Sequence, residues 1–222
     1  MKKDFVNHTL QEFEQEMYPC LDKGDLKPYF KDADYAICLV SSDEYVPFAS
    51  IVIAGIIANA NKDEKYDIVV LTKDMTIRNA YVLTQMALGH KNVSIRIRNV
   101  NDLVSGLNFY TWAHFTIDTY LRLLIPSIFN KYERVLYLDS DIVVNHDVAE
   151  LIKTDFKGTY IAATYDTHVV SYNHYIKDYT KYNRETLKMA DPDKYFQMGV
   201  SLFNVKKLNK DFKADYLIKV AS

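Results

Sequence analysis

From Tyr35 onward, short apolar runs alternate with longer apolar or amphipathic stretches, and this rhythm predicts strands and helices in alternation. Tyr35–Val40 reads as a first strand, Val46–Asn59 as a helix with Pro47 in its first turn, and Tyr66–Leu71 as a second strand. Ile77–Leu88 reads as a second helix stopped by Gly89, and Val93–Val100 as a third strand with Arg96 and Arg98 outward on one face. A βαβαβ order of this kind implies an α/β fold: a doubly wound, Rossmann-like, mostly parallel sheet with helices on both faces. Further along, Phe115–Leu124 reads as a helix ended by Pro126, Tyr160–Thr164 as a strand, and Phe212–Val220 as a last helix.

The chain is organised around Val135–Leu138, which is apolar at every position, as a central strand covered on both faces must be. It runs directly into Asp139-Ser140-Asp141. Two carboxylates cannot sit inside such a strand, so they belong at its carboxyl end, the edge where open α/β sheets bind ligands. Residues two apart in an extended segment point the same way, which lets Asp139 and Asp141 converge on one cation. Close anions repel unless a positive partner is shared, and a divalent ion completed by substrate phosphates supplies one. The same spacing recurs at Asp32–Asp34 and Asp191–Asp193, but only the middle pair follows a buried strand. The outer two read as capped turns.

Residues 1–33 read as an appendage: Phe5, Leu10, Phe13 and Met17 form a helical stripe, then Pro19, Gly24 and Pro28 break it. Its apolar face would pack on the main domain, residues 34–222, or on a second copy, which leaves a homo-oligomer open. At 222 residues, 49% of them hydrophobic, the chain can bury a sizeable core. A net charge of -2 without a Lys/Arg block argues against a nucleic-acid partner. The 18 Tyr and 11 Phe offer rings that stack on sugars and bases as well as fill a core. Cys20 and Cys38 are too few for a disulfide framework, the longest apolar stretch is too short to span a bilayer, and the amino terminus has no signal-peptide core. Together these give the expectation of a cytoplasmic protein.

Two further features bear on chemistry. The loop Ser41-Ser42-Asp43-Glu44-Tyr45 follows the first strand at the same sheet edge as Asp139, where it would either grip a nucleobase or cap the next helix through Ser42 or Asp43. Arg122 sits among Tyr120, Leu121, Leu123 and Leu124, an expensive place for a cation without an anion. A phosphate near Asp139 and a structural carboxylate are both candidates. Tyr175, Tyr179 and Tyr182, at helical spacing, read as a packed face.

Three segments carry a more specific signal: Thr119-Tyr-Leu-Arg-Leu-Leu-Ile-Pro126, Arg134-Val-Leu-Tyr-Leu-Asp-Ser-Asp-Ile-Val-Val144 and Tyr195-Phe-Gln-Met-Gly-Val-Ser-Leu-Phe-Asn-Val205. Their order and spacing resemble glycosyltransferase family eight, which includes bacterial lipopolysaccharide galactosyl- and glucosyltransferases and glycogenin. The resemblance implies a GT-A fold and retaining transfer of glucose or galactose from a UDP-sugar to a saccharide or glycoconjugate acceptor, with Mn2+, or Mg2+ in its place. By the same resemblance Asp139 and Asp141 ligate the metal and Arg122 contacts the donor. Tyr45 stacks on uracil, Val40 and Ser41 supply backbone contacts to the donor, and Ser140, between the metal ligands, also belongs to the donor-binding set. Asp166 and Gln197 face the transferred sugar, and the tyrosine-rich stretch between Asp166 and Tyr195 takes the place of an acceptor-side lid.

The chain also departs from the family pattern. Many members carry two Asp or Asn residues where Ser42-Asp43 stands here. Members also continue to an acidic Asp-Gln type motif and a His-x-x-Gly-x-x-Lys-Pro-Trp motif, neither of which is present. The expectation is therefore a carboxyl-terminally truncated chain with weak donor binding and poor transfer, any membrane association residing in the missing part. Two rivals stand beside this reading: a noncatalytic nucleotide-sugar-binding remnant, and a haloacid-dehalogenase-type phosphatase with Asp139 as nucleophile and Asp141 as acid/base.

Overall fold

The computed structural model describes residues 26–109 and 117–221 and the backbone of 21–22. The stripe at Phe5, Leu10, Phe13 and Met17, the cysteine at position 20 and the start of the predicted helix at Phe115 lie outside the described residues.

The strands are β1 (Leu21–Asp22), β2 (Tyr35–Val40), β3 (Tyr66–Thr72), β4 (Val93–Asn99), β5 (Arg134–Leu138), β6 (Ile161–Tyr165) and β7 (Phe196–Asn204). They form one sheet in the order β1-β4-β3-β2-β5-β7-β6. The pairs β1–β4, β4–β3, β3–β2 and β2–β5 are parallel. Strand β7 runs antiparallel to both β5 and β6, so the doubly wound parallel reading holds only from β1 to β5. The reversal brings the 195–199 segment to the carboxyl edge of β5: Leu138 pairs with Val200, and the Asp139 N–H donates to the Gly199 carbonyl at 2.7 Å.

Each face of the sheet carries a core, as side-chain alternation requires. On one side Ile37, Leu39, Ile68, Val70, Leu136 and Leu138 pack against Val52, Ile53 and Ile56 of the helix Val46–Asn59 and against Leu83 of Ile77–Gln85. On the other, Cys38, Val135, Tyr137 and Phe203 pack with Leu121, Phe129 and Leu208. Truncating a residue such as Ile53 to Ala would cost about 2–5 kcal/mol in lost transfer energy and cavity. The first helix has the predicted bounds and keeps Pro47 in its first turn, where a missing N–H is harmless.

Several local expectations are revised. Pro126 opens a helix instead of ending one: Ile117–Leu121 tightens into a 3-10 turn at Arg122–Leu124, and a new helix, Ile125–Ile128, takes Pro126 in its first turn. Arg96 and Arg98 are not outward. Arg96 reaches the buried Asp67, with Nη2 at 2.8 Å, and Arg98 is buried with Asp102 at 3.7 Å. The tyrosine stretch breaks at Ile176 into helices Thr167–Tyr175 and Lys177–Glu185, so Tyr175 and Tyr179 share no helix face. The predicted last helix, Phe212–Val220, begins only at Tyr216 and runs to Ala221, and a separate helix not expected from the pattern, Val205–Asp211, precedes it.

Residues 26–34 run along the amino edge of the sheet. Leu26 is buried in the second core, the Tyr29 N–H donates to Asp67 at 3.0 Å, and the Tyr132 hydroxyl oxygen lies 2.8 Å from the Lys27 carbonyl. Among the described residues no helix is long and apolar enough to cross a membrane.

Candidate active site

The carboxyl edge of β2 and β5 forms the floor. Strand β5 ends at Leu138, and Ser140–Asp141 is already a turn, so the alternation expected of Asp139 and Asp141 gives way to two different settings. Asp139 is held inward with its side chain 27% exposed, while Asp141 lies exposed beyond it. Ser140 is buried, and its hydroxyl donates to the Val40 carbonyl, pinning the turn onto the end of β2. Val40 and Ser41 are therefore floor residues, and the Ser41 N–H is already spent on the Leu71 carbonyl at 3.0 Å.

Asp139 gathers a charged cluster around itself. Its Oδ1 accepts from the Tyr137 hydroxyl at 2.7 Å, and Arg122 Nη2 lies 3.4 Å from the same oxygen. The Arg122 guanidinium stands over the Tyr137 ring, 4.7 Å from its centroid, and its Nε donates to the Thr119 carbonyl at 2.9 Å. Of the two anions considered for Arg122, the structure shows the carboxylate, and it is Asp139 itself, at the carboxyl edge of the sheet. Burial pushes the Tyr137 phenol well above its ordinary range; the nearby Arg122 opposes this and Asp139 reinforces it, so the hydroxyl stays a donor. Burial likewise raises the Cys38 thiol beside it, which is inert as a nucleophile.

The other carboxylate oxygen faces β7. An ideal Cβ on Gly199 would lie 2.3 Å from Asp139 Oδ2 and 2.6 Å from Gln197 Nε2. Real Cβ atoms do not approach so closely, so the absence of a side chain at 199 is what lets the carboxylate and the amide meet over the strand. Gln197 is exposed but folded back, its Oε1 accepting from the Gly199 N–H at 2.6 Å.

Asp166 is placed by a different rule. It caps the helix Thr167–Tyr175, with Oδ1 accepting from the N–H groups of His168 and Val169 at 3.0 Å each. Its own N–H donates to the Tyr195 carbonyl, which fixes it beside the start of β7. Tyr165 and Phe196 pair across β6 and β7 and are 61% and 44% exposed, leaving an aromatic apron next to Gln197.

In the loop after β2, Tyr45 is half exposed and tilts against Phe48 with ring centroids 5.4 Å apart. The helix that follows has no side-chain cap. Asp43 instead serves the neighbouring helix: its Oδ1 accepts from Thr76 N at 2.7 Å, Thr76 Oγ1 at 2.9 Å and Asn79 Nδ2 at 2.9 Å. Desolvation is the largest single influence and works against the carboxylate, but the three hydrogen bonds together outweigh it and hold the Asp43 carboxyl below its ordinary range. The expected capping by Ser42 or Asp43 thus becomes a brace between two loops of the same edge.

The structure brings Val40, Ser41, Arg122, Asp139, Ser140 and Gln197 together through these contacts. Asp141, Tyr45 and Asp166 stand around them on adjoining loops. Among the described residues no group of three or more His, Cys, Asp or Glu side chains forms a ready-made metal cage. Sequence reasoning missed Tyr137, taken for an ordinary apolar-strand residue. Its position two before Asp139, hence on the same side of the chain, was the available signal.

Comparison with known proteins gives this geometry a context. A model of glycosyl transferase family 8 matches residues 36–221. A putative glycosyltransferase of Haemophilus influenzae is 24% identical over 176 residues, which cover 78% of this chain and 49% of that protein. A probable galacturonosyltransferase 4 of Arabidopsis thaliana is 41% identical over 54 residues, 24% of this chain and 9% of that one. The chain therefore spans about half the length of the first of these relatives and much less of the second. The apo structure of the bifunctional glycosyltransferase WbbM matches with a TM-score of 0.79 at 32% identity, covering 90% of this chain and 36% of that one. The galactosyltransferase LgtC, solved with donor and acceptor sugar analogues, matches with a TM-score of 0.66 at 23% identity over 84% of this chain and 64% of that one, a likeness of fold. The fold is accordingly GT-A, and with a family match running from the second residue of β2 to the last helix, the chain belongs to glycosyl transferase family 8.

Proposed function

We propose that this chain carries the donor side of a retaining hexosyltransferase, which moves glucose or galactose from a UDP-sugar to a saccharide or glycoconjugate acceptor. The observation that carries the reading is the convergence of Arg122, Asp139 and Gln197 at the carboxyl edge of β5, made possible by the bare backbone of Gly199. A cation, an anion and an amide at one open edge suit a diphosphate bonded to a sugar better than an apolar ligand. The match to family 8 supports the same reading and removes the ground for the phosphatase alternative.

A divalent ion such as Mn2+, or Mg2+, fits the donor chemistry: Asp139 and Asp141 offer hard carboxylate oxygens, to be completed by diphosphate and water. When bound, such an ion neutralises the charge that develops on the departing UDP. Arg122 adds a second positive group near the same phosphates. The amide of Gln197 and the remaining carboxylate oxygen of Asp166, both beside the start of β7, are the groups that would stabilise oxocarbenium character at the anomeric carbon of a bound donor. Tyr45 offers its half-exposed ring to the base, on a loop that Asp43 holds in place. The exposed rings of Tyr165 and Phe196 suit the apolar faces of an acceptor sugar, consistent with an acceptor-side role for the tyrosine-rich helices.

The test is to incubate purified residues 1–222 with UDP-glucose or UDP-galactose, with and without Mn2+, and follow sugar release or transfer and anomeric configuration by NMR. Metal-dependent, configuration-retaining turnover, expected to be slow, supports the reading. Binding without turnover favours the noncatalytic nucleotide-sugar-binding alternative. Neither binding nor turnover with any UDP-sugar would remove both.

A further inference from the structure

We propose that Tyr137 is a positioning residue of the donor site: its hydroxyl fixes the Asp139 carboxylate and its ring seats Arg122. The inference rests on the donor-site reading above and goes beyond it by assigning work to a residue buried beneath the surface a substrate would touch.

The backbone of Asp139 is fixed by its N–H bond to the Gly199 carbonyl at 2.7 Å, but its side chain leaves the strand end and would otherwise turn freely. The Tyr137 hydroxyl, 2.7 Å from Oδ1, removes that freedom and leaves Oδ2 directed over Gly199. The ring itself cannot shift, since Tyr137 is 2% exposed and Tyr137 pairs with Cys38 in the β2–β5 register.

Arg122 depends on the same ring. At 3.4 Å its contact with Asp139 is loose compared with the 2.8 Å pair of Arg96 and Asp67, so the ion pair alone does not hold the guanidinium. The Tyr137 face at 4.7 Å and the Thr119 carbonyl at 2.9 Å hold it from below and behind. If the carboxylate turns its charge toward a metal, the guanidinium keeps two of its protein contacts and remains at the edge to meet a phosphate. One side chain thus keeps an anion and a cation side by side without letting them saturate each other.

Tyr137→Phe removes the hydroxyl and keeps the ring; Tyr137→Leu removes both. The readout is the ratio of UDP affinity with Mn2+ to affinity without it, measured by calorimetry alongside the melting temperature. For Tyr137→Phe we expect this ratio to fall about tenfold, the worth of one hydrogen bond to a charged group, with metal-free affinity unchanged. For Tyr137→Leu the metal-free affinity should fall as well, because Arg122 loses its seat. In Tyr137→Phe a merely structural role would lower the melting temperature and move both affinities together, which would overturn the proposal. So would a Tyr137→Phe ratio within twofold of wild type. Absence of metal-dependent UDP binding in the wild type would instead bring down the donor-site reading itself, and the proposal with it.

Discussion

The molecule builds the same trio of side chains twice, once at each end of its sheet, with opposite results. At the amino edge, Asp67 is 1% exposed and accepts from Arg96 Nε and Nη2, the Tyr132 hydroxyl, Ser94 Oγ and the Tyr29 N–H. At the carboxyl edge, Asp139 has Arg122 and Tyr137 on one oxygen, and its side chain is 27% exposed. The first carboxylate has spent its lone pairs and serves as a rivet, joining residues 27–29 to β3, β4 and the segment before β5. The second has acceptor capacity left over at the edge where parallel strands end, and capacity left over is what a ligand needs. Composition does not distinguish the two carboxylates; saturation does.

The sharpest way to break this comparison is to remove each arginine. Arg96→Met leaves Asp67 buried without its cation, and we expect a loss of about 3–5 kcal/mol in chemical denaturation, with weakened anchoring of residues 26–34. Arg122→Met should cost less in stability, because its contact with Asp139 is looser at 3.4 Å and Asp139 itself is partly exposed, while weakening UDP binding measurably by calorimetry. Equal stability losses from the two substitutions would erase the distinction.

A second expectation concerns Gly199→Ala. The new methyl group must displace Asp139 Oδ2 and the Gln197 amide, both ends of side chains that can turn away, so the cost falls on the arrangement of the site more than on stability. Because the displaced groups belong to the site, UDP-sugar binding should fall even at temperatures where the variant is fully folded. Unchanged binding would show that the close approach over β7 is unimportant to the donor.

The smallest expected effect is at Asp43. Its folded carboxyl lies below the ordinary value of 3.8, so its contribution to stability is full above that value and is lost as the pH falls through the lower folded one. Asp43→Ala should therefore reduce stability modestly at neutral pH and flatten the acid limb of the stability curve below about pH 4. The same change should blunt any preference for UDP over ADP and GDP in competition titrations, since it frees the loop that carries Tyr45.

What was legible in the sequence follows the same division. Bounds of β2 and of the helix Val46–Asn59 could be read because local pattern and burial agree there, and the strand leading to Asp139 because apolarity on both faces has few other causes. Arg96 looked outward because alternation says which side a residue points to, but not whether a buried Asp67 on the next strand awaits it. Pro126 suits both the end of one helix and the first turn of another, and only the 3-10 turn at Arg122–Leu124 decides between them. Asp43 had the composition of a cap but served a helix some thirty residues away, a partner no local pattern names. At the site, residues Arg122 and Asp139 were visible as charges in apolar surroundings. Tyr137 was not, because a tyrosine in a buried strand looks like packing until its hydroxyl is seen to have a partner.

The central claim is that the spare acceptor capacity of Asp139 serves a nucleotide diphosphate, and UDP calorimetry in Mn2+ on the wild type and Asp139→Asn tests it most directly. We expect saturable binding to the wild type and at least about tenfold weaker binding to the variant, with melting temperatures that differ little. Equal affinity in the two proteins would contradict the assignment of this edge as the donor site.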